Sequence, residues 1–337
     1  MDSSRLTIAI PTYNRAAHLT AQLERIRNQS SETPVIVSDN GSSDGTREAV
    51  TNAQLSWEKL KYIRVEENLG FGPNVVRLID AVQTEYVWFL SDDDPICSDA
   101  VGKVIDVISQ VRPTVVSFTA RHDTRSAPYN IQLIDSLDKI RDYRVFHRLI
   151  FLSGLVVRKV PALAEFPWAA SIQSDFIQVR AALVALSEDF RLCLASGIDV
   201  VSREVGYSTS REIVRLYLLG PVKAMWVPEL GLKPVRIRVA AWRSMAGFIR
   251  LLAGAKAGIF AINPTMSAAT RDELRQYLGV GYLVAVWGVL KVYDLLPSSL
   301  FRALFLTKSV LFRGYKAGLQ HFRRQTDPRR FNKSSGF

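Results

Sequence analysis

Three consecutive carboxylates, Asp92, Asp93 and Asp94, follow the apolar run YVWFL. Adjacent carboxylates repel one another, and Asp is a poor former of helix and strand alike. The cluster makes physical sense where a divalent cation neutralises it. Mg²⁺ and Mn²⁺ prefer oxygen ligands, commonly one or two carboxylates completed by substrate phosphates. A solvated acidic turn capping the next helix is the competing reading. A second polar stretch, SDNGSSDGT, occupies residues 38–46. Turn and helix-cap chemistry accounts for Asp44 and Gly45. It does not account for Asp39, which stands at the end of an apolar run, where a carboxylate could accept a hydrogen bond from a nucleobase N–H. The histidines, His147 among them, show no metal-ligand spacing. Cys97 and Cys193 are the only cysteines, which excludes a disulfide scaffold and a Cys-rich zinc module and fits a reducing compartment.

Groups of this kind need a scaffold that holds them at one edge. Residues 6–10 read as a strand closed by Pro11, and residues 15–28 as a helix with Leu19, Leu23 and Ile26 at helical spacing. Strand patterns follow at 35–37, 62–65, 86–90 and 114–118, separated by helical patterns at 47–54, around Val75 to Val82, and at 100–111. This alternation predicts an α/β fold, a mostly parallel sheet with helices on both faces. Ligands of such sheets bind beyond the carboxyl ends of the strands. TYN, SDNGSSDG and SDDD each follow a strand at that end. Residues 120–148 read as a polar loop region with one short helix, SGLVVRK as another strand, and 174–186 as a helix with Ser174 as N-cap and Asp175 in its first turn. From about residue 205 the pattern is helical and basic. The expected division is a catalytic domain over 1–205 and a helical region over 206–337.

The chain has 337 residues, 48% apolar and 22% charged, enough for a sizeable core and unlike a disordered or fibrous protein. It opens with MDSSRLTIAIP, a strand pattern with no charged-then-apolar leader. The longest nearly uncharged apolar run, 277–290, is too short to span a bilayer. The net charge of +11 is uneven: 11 basic against 16 acidic residues up to residue 120, then 32 against 16. Residues 301–337 hold 9 basic residues and 1 acidic. A helix from Ser298 to about residue 324 would set Phe301, Phe305, Phe312 and Tyr315 on one face beside Arg302, Lys308, Arg313 and Lys316. That is the composition of an interfacial membrane helix, with packing on the rest of the protein as the alternative. Nucleic acid is not expected as a partner, because no nucleic-acid motif accompanies the charge.

In order and spacing, IPTYNR, SDNGSSDGT, NLGFGPN and YVWFLSDDD resemble the successive signatures of family 2 glycosyltransferases of GT-A fold, in the variant of O-antigen and abequosyltransferase-like sugar transferases. The match covers about residues 5–110. The resemblance implies that Pro11, Thr12 and Tyr13 line a nucleotide pocket, that Asp39 binds the base, and that Asn68 and Asn74 belong to the donor side. It places Asp92 near the ribose and assigns a metal, Mn²⁺ or Mg²⁺, to Asp93, with Asp92 or Asp94 assisting. Turn and helix-start roles are the plainer account of the two asparagines. The family's general base, often in an ED pair, implies Asp175, with Glu188-Asp189 as the other candidate. Ser153 and Gly154 would line the acceptor cleft. No QxxRW motif of processive synthases is present. The implied activity is inverting, single-addition transfer from a nucleotide-diphospho-sugar to a saccharide, expected on a polyprenyl-diphosphate lipid, at the inner membrane face. A sugar nucleotidyltransferase and a noncatalytic membrane-binding scaffold are the alternatives.

Overall fold

The computed structural model describes residues 3–97, 99–119, 128–170, 176–201, 212, 214–226, 231–256, 264–295 and 297–299. Its centre is a sheet of β1 (Leu6–Thr12), β2 (Val35–Asp39), β3 (Leu60–Arg64), β4 (Tyr86–Phe89), β5 (Val115–Phe118), β6 (Asn130–Ile134), β7 (Leu155–Arg158) and β8 (Leu192–Ser196). The strand order is β3-β2-β1-β4-β7-β5-β8-β6. β3, β2, β1 and β4 run parallel, as do β5 and β8. β7 is antiparallel to both β4 and β5, and β6 to β8.

Helices cover both faces. α1 (Ala16–Gln29), α2 (Thr46–Gln54), α3 (Phe71–Ala81) and α4 (Ala100–Val111) alternate with the first strands, and α5 (Pro161–Glu165) and α6 (Ile177–Glu188) follow β7. The expected α/β sheet is therefore present. Along β4, Tyr86 and Trp88 enter one core and Val87 and Phe89 the other, so an all-apolar run is what a strand buried on both faces requires. One core packs α1 and α4 against the sheet through Leu19, Leu23, Ile26, Val104 and Ile108. The other begins at α3 and α6 and extends into the later helices α7 (Gly220–Met225), α8 (Pro234–Lys256), α9 (Ala268–Leu278) and α10 (Val280–Leu295). α8 buries Ile237, Ala240, Ala241, Ser244, Phe248 and Leu252, three to four residues apart, as one face of a helix must.

Two strands lie where the pattern shows none. β6, inside the stretch read as loop, is an edge strand with no buried residue, so no alternation marks it. β8 is a five-residue run that follows α6 after only a short connection. The short helix expected before residue 148 is a 3₁₀ segment, Tyr143–Ile150. The tail helix expected from Ser298 lies outside the described residues beyond Ser299. None of the described helices is long and apolar enough to cross a membrane.

Candidate active site

The carboxyl ends of the parallel strands bring the first three motifs together. β1 ends at Thr12, whose Oγ1 donates to Asp92 Oδ2 at 2.6 Å across the gap left by the end of β4. Asp92 is buried, 7% exposed. Burial pushes its carboxyl up to about 6; the Thr12 hydrogen bond works against that rise, and the neighbouring Asp93 charge adds to it. Asp93 is the outward member of the triplet, its side chain 31% exposed. Ser91 Oγ donates to Asp93 Oδ1 at 2.6 Å, and Arg15 stands 3.9 Å from Oδ2. Asp94 turns inward and accepts from Ser153 Oγ at 2.6 Å.

Ser153 is the hub behind this turn. It is fully buried, its Oγ also accepts from Ser91 N at 2.9 Å, and its carbonyl accepts from Trp88 Nε1 at 2.9 Å. Gln22 of α1 closes the other side, donating to the carbonyls of Asp94 at 2.7 Å and Ser91 at 3.3 Å. The turn carrying three carboxylates is thus fixed by uncharged donors from β7's entry and from α1. Gly154 has to be glycine, since a Cβ there would meet Phe118 O at 2.0 Å. Ser153 and Gly154, expected from the resemblance to line the acceptor cleft, are both buried and support the acidic turn from behind.

Asp39, at the end of β2 and paired in register with Thr12, is fully buried. Its Oδ2 accepts from Tyr62 OH at 2.5 Å and lies 3.5 Å from Arg64 Nε; its Oδ1 accepts from Ser42 N at 2.9 Å. A buried carboxylate is tolerated because it is hydrogen-bonded and has a guanidinium beside it. Gly41, at φ +81°, makes the turn between them, and a Cβ there would come within 2.8 Å of Glu67 C. Tyr62 and Arg64 come from β3, and the sequence pattern gave no sign of their role.

The remaining candidates separate. Tyr13 is exposed at the mouth, and Pro11 sits one residue before Thr12 on β1. Asn68 Oδ1 accepts from Asn40 Nδ2 at 2.7 Å and from Gly70 N at 2.9 Å, shaping the turn into α3. Asn74 is buried: Ser38 Oγ donates to its Oδ1 at 2.6 Å, and its Nδ2 donates to Ser38 O at 3.0 Å. Arg77 joins this pair beneath the site at 3.1 and 3.0 Å. Asp175 lies outside the described residues. The ED pair stands at the opposite end of the sheet. Glu188 closes α6 and accepts from Ala162 N, while Asp189 pairs with Arg158 and accepts from Thr114, at the amino end of β5. Neither reaches the carboxyl edge.

Among the described residues no three His, Cys, Asp or Glu side chains converge into a ready-made metal cage. The donor set suits a hard cation all the same. Asp93 is an accessible carboxylate with a second carboxylate buried behind it, which matches a cation completed by substrate phosphates.

The family model for glycosyl transferase family 2 matches residues 7–154, the stretch that builds this edge. Among curated proteins, a GalNAc(5)-diNAcBac-PP-undecaprenol β-1,3-glucosyltransferase of Campylobacter jejuni is 35% identical over 30% of this chain and 33% of its own length. Abequosyltransferase RfbV of Salmonella typhimurium is 30% identical over 29% of this chain and 30% of its own. The chain thus matches about a third of the length of these relatives. Among solved structures, S. aureus TarS 1-349 superposes with a TM-score of 0.56 at 16% identity, covering 96% of this chain and 93% of that one. The mannosyltransferase PcManGT of Pyrobaculum calidifontis, in complex with GDP-Man and Mn²⁺, gives 0.54 at 19% identity, covering 86% of each. Residues 7–154 thus match the model of glycosyl transferase family 2, and the chain shares the GT-A fold of these solved structures.

Proposed function

We propose that the protein transfers a sugar from a nucleotide-diphospho-sugar to a saccharide carried on a polyprenyl-diphosphate lipid, adding one sugar per encounter and inverting the anomeric centre. The observation that carries this reading is the meeting of two buried carboxylates at one carboxyl edge, Asp39 at the end of β2 and Asp92 held by Asp39's register partner Thr12, with Asp93 facing outward beside Asp92. Asp39, held by Tyr62 and Ser42, presents fixed acceptor oxygens of the kind a nucleobase N–H pairs with. Thr12 and Asp92 form the floor beneath the sugar-nucleotide, and Tyr13 supplies an exposed ring at its rim. Asp93 would hold a divalent cation, with Asp94 behind it fixing the turn. When bound, such a cation offsets charge on the departing diphosphate. Arg15, close to Asp93, adds a positive charge to the same rim.

Support for a nucleotide-sugar donor comes from the PcManGT complex with GDP-Man and Mn²⁺ and from a TarS complex with UDP-GlcNAc; support for a lipid-linked acceptor comes from the undecaprenol-linked glucosyltransferase. Asp175 is the proposed general base, because the ED pair stands at the wrong end of the sheet. Residues 206–337 are the proposed membrane-associating region, at the inner face of the cell membrane.

The test is a panel of nucleotide sugars screened by thermal shift with Mn²⁺, followed by donor turnover with lipid-linked saccharides. One nucleotide sugar should raise the melting temperature, and only with metal, and should be consumed. A panel without any shift, or binding without turnover of any donor, would favour a noncatalytic scaffold.

A further inference from the structure

α8 carries five cations, Arg236, Arg238, Arg243, Arg250 and Lys256, and no carboxylate. On its solvent side Val235, Val239, Trp242, Ala246 and Ile249 recur every three to four residues, and all are exposed. Val235 is 69% exposed and Trp242 47%. At 100° per residue these side chains form one stripe, with Arg238 and Lys256 along one flank and Arg243 and Arg250 along the other. The buried residues of α8 lie on its opposite side, so the stripe is left over after the core is made.

α10 packs beside it. Trp242 meets the Tyr282 ring edge-on at 4.9 Å, Tyr282 OH donates to Ala241 O at 3.1 Å, and Lys256 lies over the Tyr293 ring at 4.6 Å. α10 in turn exposes Val280, Val284, Trp287 and Leu295, with Lys291 over Trp287. Two neighbouring helices therefore present apolar and aromatic side chains set among cations. A soluble surface has no need of this combination. An apolar stripe flanked by Lys and Arg, with Trp in it, is what an anionic lipid surface takes up: the cations meet headgroups while the stripe enters the acyl boundary.

We propose that the α8 stripe, with the exposed side of α10 beside it, is the surface by which this protein docks on an anionic bilayer. This deepens the proposed membrane location and rests on it, but it assigns docking to the described helices α8 and α10 and not to residues 301–337. The occupant is a lipid surface and not a second copy of the chain, because the flanking cations of α8 would face their own like in a symmetric pairing.

The six tryptophans make the proposal readable. Trp57, Trp88 and Trp168 are buried and Trp226 is partly covered, whereas Trp242 and Trp287 are exposed. The full-length protein is mixed with vesicles of phosphatidylcholine and phosphatidylglycerol whose acyl chains carry bromine. Its tryptophan fluorescence should be quenched, and Trp242→Phe with Trp287→Phe should remove most of that quenching while the protein still sediments. Arg250→Glu should weaken binding roughly tenfold at low salt, since each cation near an anionic surface contributes and reversal removes one and adds a repulsion. Val239→Ser with Ile249→Ser should make the remaining binding fully reversible by salt. Nucleotide-sugar binding should be the same in every variant. Sedimentation without bromine quenching would overturn the proposal and move the contact to residues 301–337. Absence of sedimentation would overturn it too, and concentration-dependent dimerisation lost in the stripe variants would identify a second copy as the occupant. Intact docking with no donor turnover would instead count against the transferase reading alone.

Discussion

Tyr62→Phe removes one oxygen from a site that sequence patterns do not mark. That oxygen donates to Asp39 Oδ2 at 2.5 Å, and Asp39 is fully buried. Asp39 raises the phenol's own pKa together with burial, so the hydroxyl keeps its proton and serves only as donor. Deleting it leaves the carboxylate with Ser42 N and with Arg64 at 3.5 Å, an ion pair without a short hydrogen bond. A hydrogen bond to a charged group contributes about 1.5–3 kcal/mol. Arg64 recovers part of it by moving in, so the expected loss is about 2 kcal/mol. For a chain of this size that lowers the melting temperature by about 3 °C. If Asp39 also orients the nucleobase, the freed carboxylate should weaken nucleotide binding by about tenfold, equivalent to about 1.4 kcal/mol. Differential scanning fluorimetry reads the first number and calorimetric titration of the nucleoside diphosphate the second. A melting temperature that falls as expected with a dissociation constant unchanged within about twofold would refute base recognition by Asp39 and leave it a structural carboxylate.

Three further outcomes are expected. Ser153→Ala strips Asp94 and Ser91 N of their shared hydroxyl in a fully buried position, and should cost about 2–4 kcal/mol in urea unfolding while reducing donor turnover through the displaced acidic turn. His147 is partly buried beside Ser244, and desolvation of its ring pushes the imidazole down to about 4. A depressed folded-state pKa means stability that is fully present above about pH 6.5 and lost as pH falls towards 4, up to about 3 kcal/mol; His147→Gln should flatten that part of the profile of unfolding free energy against pH. Asp175→Asn should lower kcat by about 10²–10⁴ with nucleotide affinity unchanged, and a loss below about threefold would remove it as base.

The sheet was legible because its strands are buried on both faces. The run YVWFL admits no other reading once a polar turn ends it, and the α1 spacing of Leu19, Leu23 and Ile26 is matched by their burial in one core. β6 was not legible, since an exposed edge strand carries no alternation for burial to impose. At the site, Thr12, Asp39 and the acidic triplet could be marked as residues because they sit at strand ends. Their partners could not. Tyr62, Arg64, Ser153 and Gln22 reach the site from other elements, through contacts 23 to 72 residues apart in the chain, and nothing in their local sequence records it. The acidic triplet also divides in a way spacing alone does not show: Asp92 faces Thr12, Asp93 faces outward, and Asp94 faces Ser153.

The central claim is that Asp93 serves a metal-dependent sugar transfer. Asp93 is the outward carboxylate of the turn and holds no part of the core, so Asp93→Ala should leave the melting temperature in metal-free buffer unchanged. Measured with the nucleotide sugar identified by the panel and its lipid-linked acceptor, the wild-type protein should turn over donor with Mn²⁺ and stop in EDTA, and the Asp93→Ala protein should be inactive in both. Wild-type turnover in EDTA, or near-wild-type turnover by the folded Asp93→Ala protein with Mn²⁺, would contradict the account.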